Sequence, residues 1–359
     1  PAQFDGGAFG SLASVSAGWD ALGLLQRMAQ VDAALLEQQQ ARAATQVRRL
    51  EVAYAAADSF LQLAAQGAVV QAARANVERA RTFTTFVEAR QRSELRPGAD
   101  LSRARAELAL AETQLVRSEQ AAALGQVQLA QALGAAGAPV TIAASAPAAP
   151  TPSSTRPLAA ARNPSLLEAD AGVAAAQAQA RAAALQYLPR LELVAALWVR
   201  GSGLYDPSGA HGLLPDTPNW AAGLAVSWPL LELFGARARV RLAQVQTTVQ
   251  MAQRDELLQA IQSQVDAARA TLDAAMRVAQ NTPAALAAAR ATEQQAQARY
   301  RAGLYTVLEV AEAQRLLAQV ESEDAVARLA IQRARLLICR ALGDLEPCLS
   351  PPADTTGGR

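Results

Sequence analysis

Residues 220–230 read Trp220-Ala221-Ala222-Gly223-Leu224-Ala225-Val226-Ser227-Trp228-Pro229-Leu230. The even positions, Trp220, Ala222, Leu224, Val226, Trp228 and Leu230, are apolar. The odd positions, Ala221, Gly223, Ala225 and Ser227, are small or polar. A period of two describes a strand with one apolar face. Trp220 and Trp228 share that face, roughly 26 Å apart along an extended chain. Transmembrane β-barrels carry an outward apolar band about 25 Å tall, with aromatic girdles at both rims. A small soluble sheet packed on helices has the same alternation, so one strand does not separate the two.

Two other segments repeat the pattern. In 190–200 one face carries Leu191, Leu193, Ala195, Leu197 and Val199, and the other carries Arg190, Glu192 and Arg200. That is the division expected between lipid and a water-filled lumen. Trp198 lies on the charged face and breaks the rule. In 9–19, Phe9, Ala13, Val15, Ala17 and Trp19 share a face. All four tryptophans therefore fall in, or at the ends of, strand candidates.

The chain is also duplicated. From Trp19 to the glycine of Ala132-Leu133-Gly134 is 115 positions, and from Trp228 to that of Ala341-Leu342-Gly343 is again 115. Each interval holds a long helical stretch, a turn (Arg96-Pro97-Gly98, then Arg301-Ala302-Gly303) and a second helical stretch. A repeat of this kind governs the fold. The expected order is a strand at 9–19, a helix over 26–95 about 100 Å long, and a helix over 99–133. An Ala/Pro/Ser/Thr-rich connection follows over 135–162. Asn163-Pro164 then starts a helix, with Asn as N-cap and Pro at its first position. That helix ends before Pro189. The strands 190–200 and 220–230 and helices over 236–300 and 304–342 complete the chain. The expected segments are 1–134 (first repeat), 135–162 (connection), 163–345 (second repeat) and 346–359 (disordered tail).

Leu258, Ile261, Val265, Ala268 and Leu272 alternate spacings of three and four, as do Leu242, Val245 and Val249. This heptad predicts paired coiled-coil helices, and an ordinary amphipathic helix on a globular core is the alternative. Pro283 should kink or interrupt its helix.

Composition narrows the function. Of 359 residues 51% are hydrophobic but only 4% aromatic, a bias toward Ala that suits closely packed helices rather than one bulky core. Net charge is +1, which leaves no general nucleic-acid footprint. All 33 basic residues are Arg, read as a compositional bias of the genome. No apolar run of about 18 residues predicts a transmembrane helix. No phosphate loop, nucleophile elbow or HExxH pattern is present, so no enzyme, cofactor or metal is expected. His211 stands in the 201–219 loop near Asp206 and Asp216, and an exposed loop accounts for it better than a metal. Two cysteines make no framework. Cys339 and Cys348 pair if the tail folds back, which an oxidising periplasm allows.

Three strands cannot close a barrel, and lipid does not tolerate an open edge, so closure must come from several copies. The second repeat has a helix and a strand, 164–200, that the first lacks. Pro1–Gly10 looks like the remnant of the loop equivalent to 201–219. A chain truncated at its N-terminus, with four strands when intact, is the expectation.

At this point the chain resembles the TolC-type outer-membrane efflux proteins over about residues 9–345. The resemblance rests on Asn163-Pro164-Ser165-Leu166 leading to Leu188-Pro189, and on Trp228-Pro229-Leu230 followed by Gly235. It continues in Arg299-Tyr300-Arg301-Ala302-Gly303-Leu304, Leu308-Glu309-Val310, Ala313-Gln314 and Ala341-Leu342-Gly343. It implies a mostly α fold with a small β part: duplicated coiled-coil hairpins, with antiparallel strands contributing to a trimeric transmembrane β-barrel. The implied protein is a homotrimer in the outer membrane of a Gram-negative bacterium, extending into the periplasm. It would be a passive duct for small molecules, metals or proteins, fed by an inner-membrane pump through a periplasmic adaptor. A periplasmic coiled-coil adaptor or scaffold is the alternative. Adaptors, however, have one hairpin between lipoyl-like halves, and this chain has two between Trp-bearing strands.

The resemblance also implies sites. The adaptor-contacting tips map to Arg96, Pro97, Gly98, Ala99 and Asp100, and to Gly303, Leu304, Tyr305, Thr306, Val307 and Leu308. Plain helix turns are the alternative. Glu309 and Glu312 map to an acidic ring at the tunnel's narrow end, where crowding of three copies should raise some carboxyl pKa values. A solvated helix face is equally compatible. Tyr300 maps to a gate tyrosine bonding across to the other hairpin. Trp19, Trp220 and Trp228 map to the membrane's aromatic girdle. Two positions depart from the pattern: the acidic residue expected six places after Gly98 is Ala104, and the gate arginine after Gly303 is Tyr305.

Overall fold

The computed structural model describes residues 8–92, 98–141, 163–206, 209–210, 214–215, 217–228 and 233–349. Arg96, Pro97, His211, Asp216, most of the 135–162 connection and the tail after 349 lie outside them. Two compact units form, residues 1–43 with 167–256 and residues 44–166 with 257–359. They cut across the sequence repeats, because each unit takes parts of both.

The first unit holds an antiparallel sheet of β1 (Ala8–Asp20), β2 (Arg190–Asp206), β3 (Gly209–Ala210) and β4 (Thr217–Ser227). Strand β2 is central, with β1 on one side and β4 on the other. Its register puts Val15 opposite Leu197 and Leu197 opposite Trp220. Trp19 stands opposite Leu193, and Leu193 opposite Leu224. Directly opposed residues share a face, so the three apolar rows read from sequence merge into one surface. It is bare: Val15 is 74%, Leu197 58% and Trp220 78% exposed. Pro218 is tolerated because β4 pairs on one side only among the described residues. Trp198, the exception, stands half-buried between Ser14 and Asn219 in the register.

The strands differ in extent from expectation. Strand β2 runs on to Asp206 and pairs Tyr205 with Ala210, so part of the expected 201–219 loop is hairpin. Strand β4 starts at Thr217, Trp228 follows its last residue, and Pro229 and Leu230 lie outside the described residues.

Helices carry the rest: α1 (Gly23–Arg92), α2 (Gly98–Ala132), α3 (Pro164–Ala184), α4 (Leu233–Arg301), α5 (Val307–Leu342) and the short α6 (Glu346–Leu349). In the first unit α3 is tied to α1 by Gln179 Nε2 donating to Glu37 Oε1 (2.5 Å), and to α4 by Arg254 Nε donating to Asp170 Oδ1 (3.0 Å). The upstream heptad of α4, Leu242, Val245 and Val249, is exposed in the single chain.

In the second unit the heptad is buried, at Ile261, Val265 and Ala268. Helices α1 and α2 pack through Val77, Ala80 and Ala111, and α4 and α5 through Ala289, Leu317 and Val320. Ion pairs tie the hairpins together: Arg79 to Glu321 (2.9 Å), Arg315 to Glu107 (2.8 Å), and Arg333 to both Asp58 oxygens (2.7 and 3.0 Å).

Two expectations are corrected, and the conditional pairing of the cysteines is realised. Helix α4 passes through Pro283 without interruption. Pro283 is exposed, and Thr282 beside it donates to Asp324 of α5 (2.8 Å), so packing outweighs the one lost backbone bond. The tail is ordered as far as Leu349, where α6 folds back. Cys348 is joined to Cys339, beside Leu50, Tyr54 and Leu61 of α1.

The glycines that mark the repeat close their helices alike. Gly134 (φ 71°) and Gly343 (φ 83°) both adopt the left-handed conformation. Ala135 N–H then reaches Ala130 O (2.8 Å), and Asp344 N–H reaches Cys339 O (3.0 Å). Asn163 joins two helix ends: its Oδ1 accepts from Ser165 N–H (2.9 Å), capping α3, while its Nδ2 donates to Ala341 O of α5 (2.9 Å).

Candidate functional site at the helical turns

The turn between α4 and α5 is built by Gly303, at φ 81°. Gly303 N–H donates to Tyr300 O (3.0 Å) and Leu304 N–H to Arg299 O (2.9 Å), a paired closure that needs a left-handed residue. Leu304 then stands 75% exposed at the apex. Arg299 Nη1 donates to Tyr305 Oη (2.6 Å), and its guanidinium lies 5.1 Å from the centre of that ring.

Thr306 starts α5 with a capping box, its hydroxyl and N–H both donating to Glu309 Oε2, the latter over 2.5 Å. The Thr306 hydroxyl, then its backbone N–H, holds the Glu309 carboxyl below the ordinary carboxylate range. Within one chain Glu309 therefore caps a helix, and the rise expected from crowding has no counterpart there. Glu312, one turn on, is exposed.

Of the expected tip residues, Gly303, Leu304 and Thr306 are exposed, and Tyr305 and Leu308 are half-buried. Val307 is 1% exposed and belongs to the core, so it offers nothing to a partner. At the first turn Gly98 begins α2, Ala99 is exposed and Asp100 half-buried.

Behind both turns lies a shared core of Phe83, Val87, Leu101, Ala104, Ala296, Tyr300, Val307, Val310 and Ala313. Tyr300 is fully enclosed, with Phe83 (5.1 Å) and Phe86 (6.2 Å) edge-on to its ring. It joins the hairpins by packing from inside. Arg90 of α1 provides a polar link between them, donating Nη1 to Tyr300 O (3.2 Å) and Nη2 to Arg301 O (2.7 Å). Arg90 and Arg301 also approach the Phe86 ring, at 5.3 and 5.8 Å from its centre. Position 104, where an acid was expected, faces this apolar core, and an ionised carboxylate there would be desolvated.

Sequence reasoning missed Arg90 and Phe86, whose only signal was a basic residue in the last turn of a long helix. It also missed the Thr306-x-x-Glu309 box, which was legible as a pattern.

Residues 156–344 match the family model for the outer membrane efflux protein. That is more than half of the chain, and the chain belongs to the outer membrane efflux protein family. The pyoverdine export outer membrane protein OpmQ of Pseudomonas putida (strain KT2440) is 30% identical over 329 residues. The match covers 87% of this chain, and the chain spans 66% of that protein's length. Among solved structures, CusC superposes with a TM-score of 0.79 at 18% identity, over 95% of this chain and 83% of that one. The outer membrane protein VceC of Vibrio cholerae gives 0.76 at 19%, over 94% and 87%. At these identities the likeness is one of fold: long helices with a small antiparallel sheet. The family places the chain in the outer membrane of a Gram-negative bacterium.

Proposed function

We propose that this chain is one protomer of a homotrimeric export duct, without enzymatic activity. The barrel strands sit in the outer membrane and the helical hairpins form a periplasmic tunnel. A periplasmic adaptor meets the exposed turn residues, Gly303, Leu304 and Thr306 foremost, and delivers cargo from an inner-membrane pump. The observation that carries this reading is the sheet. Three strands present one continuous bare apolar face, with Trp220 and Trp228 near its two ends, and both outer strands have an unpaired edge among the described residues. In water such a sheet aggregates; in lipid it must close on further copies. Trp19, four rungs from Trp228 by register, belongs to the same lipid-facing surface. Small molecules are the proposed cargo, as the name of the pyoverdine-exporting relative suggests for that protein.

Reconstitution of the protein into planar bilayers tests this. The expected result is ion conduction by a species of trimeric mass. A monodisperse soluble monomer that never inserts would sink the reading.

A further inference from the structure

The sheet passes into α4 through a short segment, and the first turns of α4 carry an arrangement that the duct reading leaves unused. Phe234 is 82% exposed. Arg237 and Arg241 follow at spacings of three and four, so all three residues project from one side of the helix. Ala236 and Val240, buried at 3% and 8%, mark the side that packs on the protein. Leu242, Val245 and Val249 point away from that packed side and leave the arginines on a flank of the helix. Among the described residues neither Arg237 nor Arg241 has an ion pair or hydrogen bond, whereas Arg254, farther along α4, is paired with Asp170. The order along the axis matters as much as the face. Phe234 lies nearest the strand end, and the guanidiniums come about 4.5 and 10.5 Å later.

We propose that Phe234, Arg237 and Arg241 form an anchor for the phosphate headgroups of anionic phospholipid, where the barrel passes into the helices. The inference rests on the duct reading, because it needs the Trp228 end of the sheet at the membrane boundary. An aromatic ring at the hydrocarbon edge with arginines one and two turns farther out matches the layering of a bilayer. There the headgroup zone adds several ångströms beyond the apolar core. Phosphate oxygens supply the acceptors that these guanidiniums lack among the described residues, and Arg suits them by its forked donors. A water-filled lumen would leave Phe234 bare, and the uncovered ring therefore favours lipid on this flank. Arg239 sits on the opposite flank of the same helix and serves as an internal control of equal charge and depth.

The test is lipid retention by the purified full chain in nanodiscs made from phosphatidylcholine with a minor fraction of phosphatidylglycerol, read by native mass spectrometry and lipid extraction. Arg237→Gln with Arg241→Gln should lower retained phosphatidylglycerol roughly 25-fold, about five-fold per arginine, and leave phosphatidylcholine unchanged. Arg239→Gln should retain it as the unaltered protein does. Equal retention in all three proteins overturns the inference, as does equal loss from Arg239→Gln, which would mean simple net charge. A change of oligomeric state in Phe234→Ala with undiminished lipid retention would assign this flank to a second copy and also overturn it. Bilayer conductance measured on the same preparations separates the two claims. Failure to insert defeats the duct reading, while insertion with unchanged lipid retention defeats only the anchor.

Discussion

Arg90 Nη2 lies 2.7 Å from the carbonyl oxygen of Arg301, and Arg90 Nη1 lies 3.2 Å from that of Tyr300. One guanidinium thus closes the last turn of α4 from the neighbouring hairpin, where the helix dipole leaves carbonyls unpaired. Arg90→Gln should loosen this end of the bundle by about 1–2 kcal/mol, since the bonds are charge-assisted but partly solvated. Hydrogen exchange over residues 299–304 should rise, and Arg90→Lys should restore only part of the protection because it cannot fork. Unchanged exchange would show that the aromatic core alone holds the hairpins.

Glu309 gives a pH dependence whose sign is set by its cap. Its carboxyl is held below the ordinary 4.5 by Thr306, so the folded state favours the ionised form. The stabilisation is complete above the ordinary value, therefore at neutral pH, and is lost as pH falls through the lowered value. Exchange protection of the first turn of α5, corrected for intrinsic rates, should fall in that acid window. Glu309→Gln should lack the pH dependence and be less protected at pH 7.

Glu312 is free of that duty and exposed. If it and Glu309 line the narrow end of a trimeric tunnel, Glu309→Gln with Glu312→Gln weakens cation selectivity in bilayers, with the larger share from Glu312→Gln. Unaltered reversal potentials would remove both residues from the pore.

Gly134 and Gly343 occupy equivalent repeat positions but should tolerate alanine differently. Both have positive φ, a strain of about 1 kcal/mol for alanine. A Cβ on Gly134 meets nothing within 4 Å, while one on Gly343 comes within 2.8 Å of Asn163 Cα and 2.5 Å of Pro164 Cδ. Gly343→Ala should therefore cost about 3 kcal/mol or more in denaturant unfolding, and Gly134→Ala about 1.

The Cys339–Cys348 bridge closes a short loop, with a sequence separation of 9. Chain entropy predicts a loss of about 2–3 kcal/mol on opening it. Cys348→Ser should lower the unfolding midpoint about as much as reductant lowers it in the unaltered protein, and reductant should do nothing further to the variant.

Much of the fold was legible because its signals are local. Alternation placed the strands, Asn163-Pro164 placed the start of α3, and each glycine that ended a repeat closes a helix in the left-handed conformation. Pro283 misled because a backbone rule states what a proline costs, not what the Thr282–Asp324 contact returns. Position 104 looked like a lost functional acid until the core around Tyr300 showed an apolar environment. Glu309 also caps α5 through Thr306, a pattern already present in the sequence but outranked by the resemblance.

By itself, the sequence determined the strand-and-hairpin duplication and the apolar face with its paired tryptophans, since periodicity and glycine spacing are properties of a linear chain. Only the tertiary structure decided which side chains act at the turns. Tyr300 turns inward, Val307 is buried, Arg90 reaches carbonyls 210 and 211 residues away in sequence, and Cys348 returns to Cys339. The physical reason is that burial and hydrogen bonding between distant segments depend on how helices pack side by side, which no local spacing encodes.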